Sequence, residues 1–286
     1  MKHPNDLARE EVSMRTLVEL TSAFEGIASM RIAQIKNQVL QSTKFFDELW
    51  AIYTQLRVDT MFNYGRQTEN SKLIDKTLFI IITAEGGFSG DIDQRLVLEM
   101  LKSFDKEKND ILVIGHHGAV QLAQRGVEYK KYFKLPTKDT DINVAPIIKE
   151  VQAYKSTVIY YQQYVSLMSQ DVKSIELSNA VKEVSESSGG SDDVISELNY
   201  IFEPDAYSVA SHLENTMTQI AVNQLILNSK LAQYASRFKA MTGAHQRADE
   251  NRNDIHLEFN RSKRSLKDER LKEVVNGIKK SKAGAK

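Results

Sequence analysis

Cysteine is absent from this 286-residue chain, proline occurs only four times, and the formal net charge is zero. The missing thiols exclude disulfide bonds and cysteine nucleophiles, and they fit a reducing compartment. A balanced charge creates no global field that would draw the chain to nucleic acid or to anionic lipid. The composition therefore favours a soluble globular protein.

Long apolar runs are also missing. The longest, residues 78–82, has the length of a strand and falls far short of the ~20 residues of a membrane span. Residues 1–11 lack a signal-peptide core, and their acidic side chains argue against an organelle transit peptide. The basic tail, residues 261–286, could touch nucleic acid or lipid, but a frayed terminus is the favoured interpretation.

Residues 205–277 contain no proline, which favours one long helix. Apolar or small residues recur there at steps of three and four, the spacing of a coiled-coil seam. The predicted seam consists of Met241, Ala244, Ala248, Ile255 and Phe259. Such a helix would be roughly 110 Å long. It is thin and polar between residues 242 and 254, so it needs a partner helix.

The N-terminal part, residues 5–57, predicts a second long helix with Asn5 or Asp6 as its cap. Its predicted apolar stripe consists of Leu17, Leu20, Phe24, Ile27, Ile35, Val39, Phe46, Leu49, Tyr53 and Leu56. Each long helix can bury its stripe only if the two ends of the chain run back along each other. The sequence therefore predicts an antiparallel two-helix coiled coil.

The middle of the chain alternates β-favouring and helical patterns. Strands are predicted at residues 77–83, 111–115, 127–135, 156–166 and 172–177, with helices at 92–104, 117–125 and 147–154. A further short strand is predicted at 194–202. This alternation predicts an open, mostly parallel α/β sheet.

The expected architecture is an α/β protein, in which a Rossmann-like open α/β domain is inserted between the two coiled-coil helices. The predicted domain limits are 1–65 for the N-terminal helix, 70–180 for the insert, 181–195 for a flexible linker and 203–279 for the C-terminal helix. The linker is predicted from its serine, glycine and acidic residues.

The glycine-rich turn at residues 83–90 lies between a strand and a helix, where phosphate loops occur. It matches neither the Walker spacing nor the dinucleotide fingerprint. The neighbouring acids Glu85, Asp91 and Asp93 would repel a phosphate. Tight-turn packing is therefore favoured over nucleotide binding.

Two further patterns have ordinary explanations. His116 and His117 are adjacent and lack an evident third ligand, so a surface role is favoured over a metal site. Tyr160, Tyr161 and Tyr164 could stack on single-stranded nucleic acid, but their neighbours are not basic and strand propensity explains them. No Ser-His-Asp arrangement is supported by the order of the residues.

A family resemblance runs along nearly the whole chain. Residues 237–241 (RFKAM) resemble the motif R-M-x-A-M, residues 259–264 (FNRSKR) resemble Y-N-K-A-R-Q, and residues 271–277 (LKEVVNG) resemble L-x-E-I-V-x-G. In the insert, residues 83–90 (TAEGGFSG) are similar to T-S-D-R-G-L-C-G. In this order, the motifs resemble those of the γ subunit of F-type ATP synthases, the central rotor shaft. The chain departs from the family at Ser22 and Glu25, where basic residues are usual, and at residues 242–248.

The resemblance implies a shaft whose coiled coil stands in the bore of a ring of α and β subunits. Its foot and α/β body would contact the ε subunit and the membrane c-ring. ATP would be bound by the ring, so the chain would have no catalytic residue, cofactor or metal of its own, and no nucleic-acid partner. The implied location is peripheral, on the cytoplasmic face of a bacterial cell membrane.

Motif position implies that Lys263, Arg264 and Asp268 contact the ring, and the alternative is a solvated face of the coil. Two other functions remain open from the residues alone: a coiled-coil adaptor and an α/β enzyme with helical extensions. The resemblance, with its departures, also leaves open the rotor of a specialised F-type-like motor. The coupling ion and the direction of ATP turnover are not encoded in this chain.

Overall fold

The computed structural model describes residues 2–56, 74–136, 142–178, 180, 203 and 205–283. Contacts divide the chain into two compact units, one of residues 1–27 with 239–286 and one of residues 28–238. Helices α1 (Pro4–Leu56) and, at the C-terminal end, α5 (Ala206–Ala283) contribute to both. The domain limits predicted at 65, 70 and 181–195 and the strand predicted at 194–202 lie outside the described residues, and they stay predictions.

Among its described residues, the larger unit contains a five-stranded sheet. Its elements are β1 (Ile74–Ile82), α2 (Ile92–Ser103), β2 (Asn109–Ile114), α3 (His116–Gln124), β3 (Lys131–Phe133), α4 (Ala145–Val151), β4 (Tyr154–Tyr164) and β5 (Gln170–Glu176). The strand order is β3-β2-β1-β4-β5, and only β5 is antiparallel to its neighbour. The predicted open, mostly parallel sheet is confirmed. The third strand is shorter than predicted, because only residues 131–133 pair with β2.

The sheet is buried on both faces, as its continuous apolar strands predict. Leu78, Ile80 and Ile82 point to a core that includes α4 and residues 222–226 of α5. Phe79 and Ile81 point to the opposite core, which α2 and α3 cover. The crossovers thus lie on both faces of the sheet, as in doubly wound folds.

Tyr160 and Tyr161 of β4 belong to these cores, whereas Tyr164 is partly buried against the pair of long helices. Tyr160 packs in one core and Tyr161 in the other, and both are buried. Because successive side chains in a strand point to opposite faces, the two rings cannot form one stacking surface. Strand formation therefore explains their presence.

Within the larger unit, α1 and α5 also pack against each other in an antiparallel pair. Ile32 and Ile35 meet Leu227 and Leu231 in one apolar cluster. A second cluster joins Phe46 of α1 to Met217 and Ala221 of α5. As residue numbers rise along α1 they fall along α5, which is the predicted antiparallel arrangement.

The smaller unit pairs the same two helices through polar contacts. Ser262 donates to the Lys2 carbonyl oxygen at 2.9 Å, and Thr242 donates to Glu25 at 2.9 Å. Between these ends, the Nδ1 of His256 lies 2.8 Å from the Glu11 carboxylate. The pairing is again antiparallel, but little of it is apolar.

The predicted apolar stripe of α1 was wrong in its first half. The buried positions there include Leu7 and Thr21, which are 1% and 5% exposed. The exposed apolar side chains are Leu17, Leu20, Phe24 and Ile27. The Thr21 hydroxyl lies 3.4 Å from Nδ1 of His245, so the facing helix presents a polar group and a threonine suits the seam. Periodicity gave the spacing of the stripe but assigned it to the wrong face.

The helix starts differ in how well they were predicted. Helix α1 begins at Pro4, a common first residue, and the backbone N–H of Asn5 donates to His3 Nδ1 at 3.2 Å. Asn5 and Asp6 lie inside the first turn, so neither is the cap. Asp205 does cap α5, because its carboxylate accepts the Ser208 N–H at 2.8 Å.

Candidate functional site

The carboxyl edge of the sheet is the place where open α/β folds bind ligands, most often at the point where strand order reverses. Here that point lies between β1 and β4. Asp93, which is 2% exposed, occupies it and accepts hydrogen bonds from the Ala84 N–H at 3.2 Å and the Gln162 side chain at 2.8 Å. The crevice therefore contains a buried carboxylate that is already held by the protein.

Helix α5 completes this network. Ser229 donates to the side-chain oxygen of Gln162, and Gln233 donates to the same oxygen at 3.2 Å. One turn further on, Ser236 donates to the Ser89 carbonyl oxygen at 2.6 Å. Side chains of α5 thus occupy the position that a substrate takes in α/β enzymes. The i, i+4, i+7 spacing of these three polar residues in a helix was the sequence signal that could have revealed the contact.

Arg237 fastens the glycine-rich turn to α5. Its Nε donates to the Gly87 carbonyl oxygen at 3.0 Å, and its Nη2 donates to that of Gly86 at 3.2 Å. The guanidinium also lies 5.1 Å from the centre of the Tyr234 ring. The turn therefore directs carbonyl oxygens at an arginine, which supports the prediction of tight-turn packing. Arg237 opens the RFKAM motif.

His117 forms an ion pair with the buried carboxylate. Its Nδ1 lies 3.0 Å from Asp93 Oδ2, and this hydrogen bond raises the pKa of the imidazole against the opposing effect of burial. More distant Glu85 also raises the pKa of His117, whereas Arg237 lowers it. His116 is exposed. Among the described residues, no three His, Asp or Glu side chains converge as metal ligands would.

The raised pKa of His117 predicts a pH dependence of stability. A group whose pKa is higher in the folded state stabilises the fold fully below its unfolded value, about 6.5, and this contribution disappears as pH rises through the folded pKa. Chemical unfolding near neutral and near pH 9 should therefore show a loss of stability on the alkaline side. The loss should be smaller in His117→Gln. Equal pH dependence in both proteins would contradict the assignment.

The predicted coil residues occupy several environments. Met241 and Ala248 are buried, at 7% and 2% exposure, whereas Ala244, Ile255 and Phe259 are partly buried. The predicted ring contacts Lys263, Arg264 and Asp268 are all exposed. The Lys263 ammonium lies 5.5 Å from the centre of the Phe259 ring. The roles of both sets stay predictions.

Exposed apolar side chains are concentrated on α1 and near the end of α5. In the smaller unit they are Val12, Leu17, Leu20, Phe24, Ile27, Leu257, Leu271, Val274, Val275 and Ile278. Every residue from 263 to 279 is exposed except Leu266. Across the described ranges, no helix combines the length and apolarity needed to span a bilayer.

Comparisons with known proteins agree with these features. The sequence model of the ATP synthase family matches residues 5–279. The ATP synthase gamma chains of Staphylococcus aureus strains RF122 and JH9 are each 23% identical over 280 residues, which covers 93% of this chain and 94% of theirs.

Solved structures show the same fold. A chain of the Euglena gracilis mitochondrial ATP synthase, from a structure with OSCP, F1 and the c-ring, matches with a TM-score of 0.58 at 15% identity, covering 96% of both chains. A chain of the Tetrahymena thermophila mitochondrial ATP synthase central stalk and c-ring matches with a TM-score of 0.57 at 17% identity, covering 79% of this chain and 99% of that one. From the match along residues 5–279, the two long helices and the inserted sheet, we conclude that this chain belongs to the ATP synthase gamma chain family.

Proposed function

We propose that this chain is the central rotor shaft of an F-type ATP synthase and works without a catalytic site of its own. The observation that carries the proposal is the exposed apolar surface of the smaller unit. Leu271 and Val274 are 67% and 61% exposed, in a stretch of α5, residues 267–279, in which every side chain is exposed. Exposed patches of this kind mark interaction surfaces, and a surrounding ring of α and β subunits would cover this one.

The polar pairing of the two helices suits rotation inside such a ring. The two helices are held together by hydrogen bonds that pair Thr242 with Glu25 and His256 with Glu11. Individual hydrogen bonds of a shaft with its sleeve contribute only about 0.5–1.5 kcal/mol net, so they can form and break during each turn. The asymmetry of the shaft would then drive the catalytic subunits through their states in sequence.

The α/β body is fixed to α5 and can transmit torque. Two sets of hydrogen bonds join the sheet to that helix. Gln162 connects Asp93 with Ser229 in the buried set, and Arg237 makes two bonds to the glycine-rich turn. The body and the foot of the shaft would contact ε and the c-ring, and the chain would reach the membrane only through the complex. Its proposed location is the cytoplasmic face of a bacterial cell membrane.

A pull-down of the tagged chain from its native cells tests this function. Recovery of α, β and ε subunits, with α and β in equal excess over the tagged chain, is expected. If α and β are absent and another coiled-coil protein is recovered in stoichiometric amount, the chain is an adaptor and the rotor proposal fails.

Replacement of the three proposed ring contacts should impair coupling without affecting the fold. Combined Lys263→Ala, Arg264→Ala and Asp268→Ala should lower the rate of ATP synthesis by about tenfold, because each lost contact costs about 0.5–1.5 kcal/mol and such costs add incompletely. Since all three residues are exposed, the thermal midpoint should be unchanged.

A matched control removes similar charges from the surface of the α/β body. Lys102, Arg125 and Glu128 are exposed and belong to the larger unit. Their combined replacement by alanine should leave ATP synthesis close to the wild-type rate. An equal loss in both triple variants would show that net charge, rather than contact with the ring, controls the rate.

A further inference from the structure

The smaller unit has little apolar contact with which to fix the alignment of its two helices. Among its described residues, the buried side chains are Leu7 and Thr21 on α1 and Met241, Ala248 and Ser262 on α5. Two of these five are large and apolar. Apolar side chains of similar size pack against one another interchangeably, so such a seam does not specify how far one helix is shifted along the other.

The hydrogen bonds between the two helices belong to one alignment. Thr242 donates to Glu25 at 2.9 Å, and Nδ1 of His256 lies 2.8 Å from the Glu11 carboxylate. From 11 to 25 the chain advances fourteen residues along α1, and from 256 to 242 it goes back fourteen along α5. Fourteen residues are two heptads, and residues one heptad apart present the same face to a partner helix. The two bonds therefore lie on the same face of the pair.

Val18 and Asp249 occupy the middle of these two series. Val18 lies seven residues from each of the two glutamates, and Asp249 lies seven residues from each of their partners. Both side chains are partly buried, as expected for residues on facing sides of a helix pair. The observed alignment therefore places the acid of α5 opposite a valine, whereas each acid of α1 lies opposite a hydrogen-bonding side chain.

A shift by one heptad would bring two carboxylates together. In one direction Glu25 would come to lie opposite Asp249, and in the other direction Glu11 would. Like charges on facing positions repel, and each shift would also break both hydrogen bonds between the helices. Asp249 pairs with Arg252 at 2.8 Å, but that ion pair lies within α5 and is the same in every alignment.

We propose that Glu11, Glu25 and Asp249 specify the alignment of α1 with α5 in the smaller unit. The two glutamates stabilise the observed alignment, and Asp249 disfavours the alignments shifted by one heptad in either direction. Such a shift would move α1 by about 10 Å along its partner, and the exposed Leu17 and Leu20 would move with it. The alignment thus decides where along the shaft the apolar surface of α1 is presented.

An acid introduced at Val18 tests this charge pattern in the full-length chain. Val18→Glu places a carboxylate opposite Asp249, so the two helices should separate more often. Amide hydrogen exchange, resolved by peptide, measures this local opening. Exchange in residues 7–25 should become about tenfold faster, because repulsion is added to the loss of an apolar contact. An unchanged exchange rate would overturn the proposal.

Two single variants separate the effect of charge from other effects. Val18→Gln has nearly the same size as Val18→Glu but carries no charge, so exchange should become only about threefold faster. Asp249→His removes the partly exposed ion pair with Arg252, and it should change exchange by less than about threefold. Equal acceleration by Val18→Gln and Val18→Glu would show that packing, rather than charge, controls the pairing, and it would contradict the proposal.

A second substitution should rescue Val18→Glu only at the facing position. Val18→Glu with Asp249→His copies the Glu11–His256 pair one heptad along, so exchange should return to within about threefold of the original rate. Val18→Glu with Asp254→His makes the same change of charge at an exposed residue outside the series. This matched control should remain about tenfold faster than the original chain.

The comparison of the two double variants decides the result even if Val18→Glu alone separates the helices completely. Rescue by histidine at 249 and not at 254 supports the proposed alignment. Equal rescue at both positions would reduce the effect to net charge, and rescue at neither would show that residues 18 and 249 do not face each other; both results overturn the proposal. The inference concerns the chain alone, so its failure leaves the rotor function and the pull-down that tests it unaffected.

Discussion

Replacing Gly115 with alanine is expected to lower the free energy of unfolding by about 4 kcal/mol or more. Gly115 follows β2 with φ of +97°, and a Cβ built on it would lie 2.6 Å from the Thr83 carbonyl carbon and 2.8 Å from the Thr83 hydroxyl. Because the nearest atoms include backbone, β1 and β2 would have to separate at their carboxyl ends. This would disturb the hydrogen bond from the Thr83 N–H to Ile114, which is 2.7 Å long.

Gly126 provides the control for backbone conformation alone. It also has a positive φ, +69°, but a Cβ there would meet no atom within 4 Å. Gly126→Ala should therefore cost only the conformational penalty, about 1–2 kcal/mol. Chemical denaturation of both variants measures the difference. If both alanine substitutions lower the unfolding free energy equally, the ends of β1 and β2 do not approach each other closely at Gly115.

Replacing Asp93 with alanine is expected to have the second-largest effect, about 3 kcal/mol of lost stability. The change removes the acceptor for the Ala84 N–H and the Gln162 side chain, and it leaves His117 without its carboxylate. Buried donors that lose their partners cost more than the original hydrogen bonds contributed. Gln162 also contacts Ser229, so the loss should extend to the junction with α5.

Asp91 is the natural comparison, because it lies two residues away and is exposed. Its carboxylate pairs with Arg95 at 3.3 Å, and its side chain is 71% exposed. Asp91→Ala should change the unfolding free energy by less than about 1 kcal/mol. Urea denaturation of both variants measures the two losses of unfolding free energy. Equal losses would show that Asp93 is not central to the junction between the sheet and α5.

The central strands were predictable because their sequences are apolar on both sides. Residues 78–82 form one continuous apolar run, and no knowledge of a partner is needed to recognise a strand that is buried on both faces. The third strand was predicted to be longer than it is. Only Lys131–Phe133 pairs with β2, and the residues before it follow a turn at Gly126. Its true length depends on the neighbouring strand rather than on its own residues.

The seam of α1 was predictable only where apolar residues face apolar residues. Ile35 and Phe46 were assigned correctly, since their partners on α5 are also apolar. Nearer the N-terminus, Thr21 faces His245, and the apolar stripe lies on another face of the same helix. A single sequence has no means of telling which of two equally spaced stripes meets the partner helix.

The spacing of Ser229, Gln233 and Ser236 marks one side of the junction between the sheet and α5, but the side that the sheet contributes could not be predicted from the sequence. From the sequence, Asp93 is interpreted only as a charge that would repel phosphate, and Gln162 is assigned no role. Their contact with Ser229 joins positions that are far apart in the chain, and only the fold brings them together. Asp93 and Gln162 lie in different elements and follow no shared periodicity, so no sequence pattern points to their contact.

The absence of cysteine makes the most direct test of the rotor function practical. Lys106 is exposed in the turn before β2 and forms only a surface ion pair with Glu128, so Lys106→Cys would provide the one thiol of the chain for attaching a bead. Complexes assembled with the matching α and β subunits would be immobilised through the ring and supplied with ATP. We expect the bead to turn continuously in one direction. A complex that hydrolyses ATP while the bead stays still would contradict the assignment of this chain as the rotor.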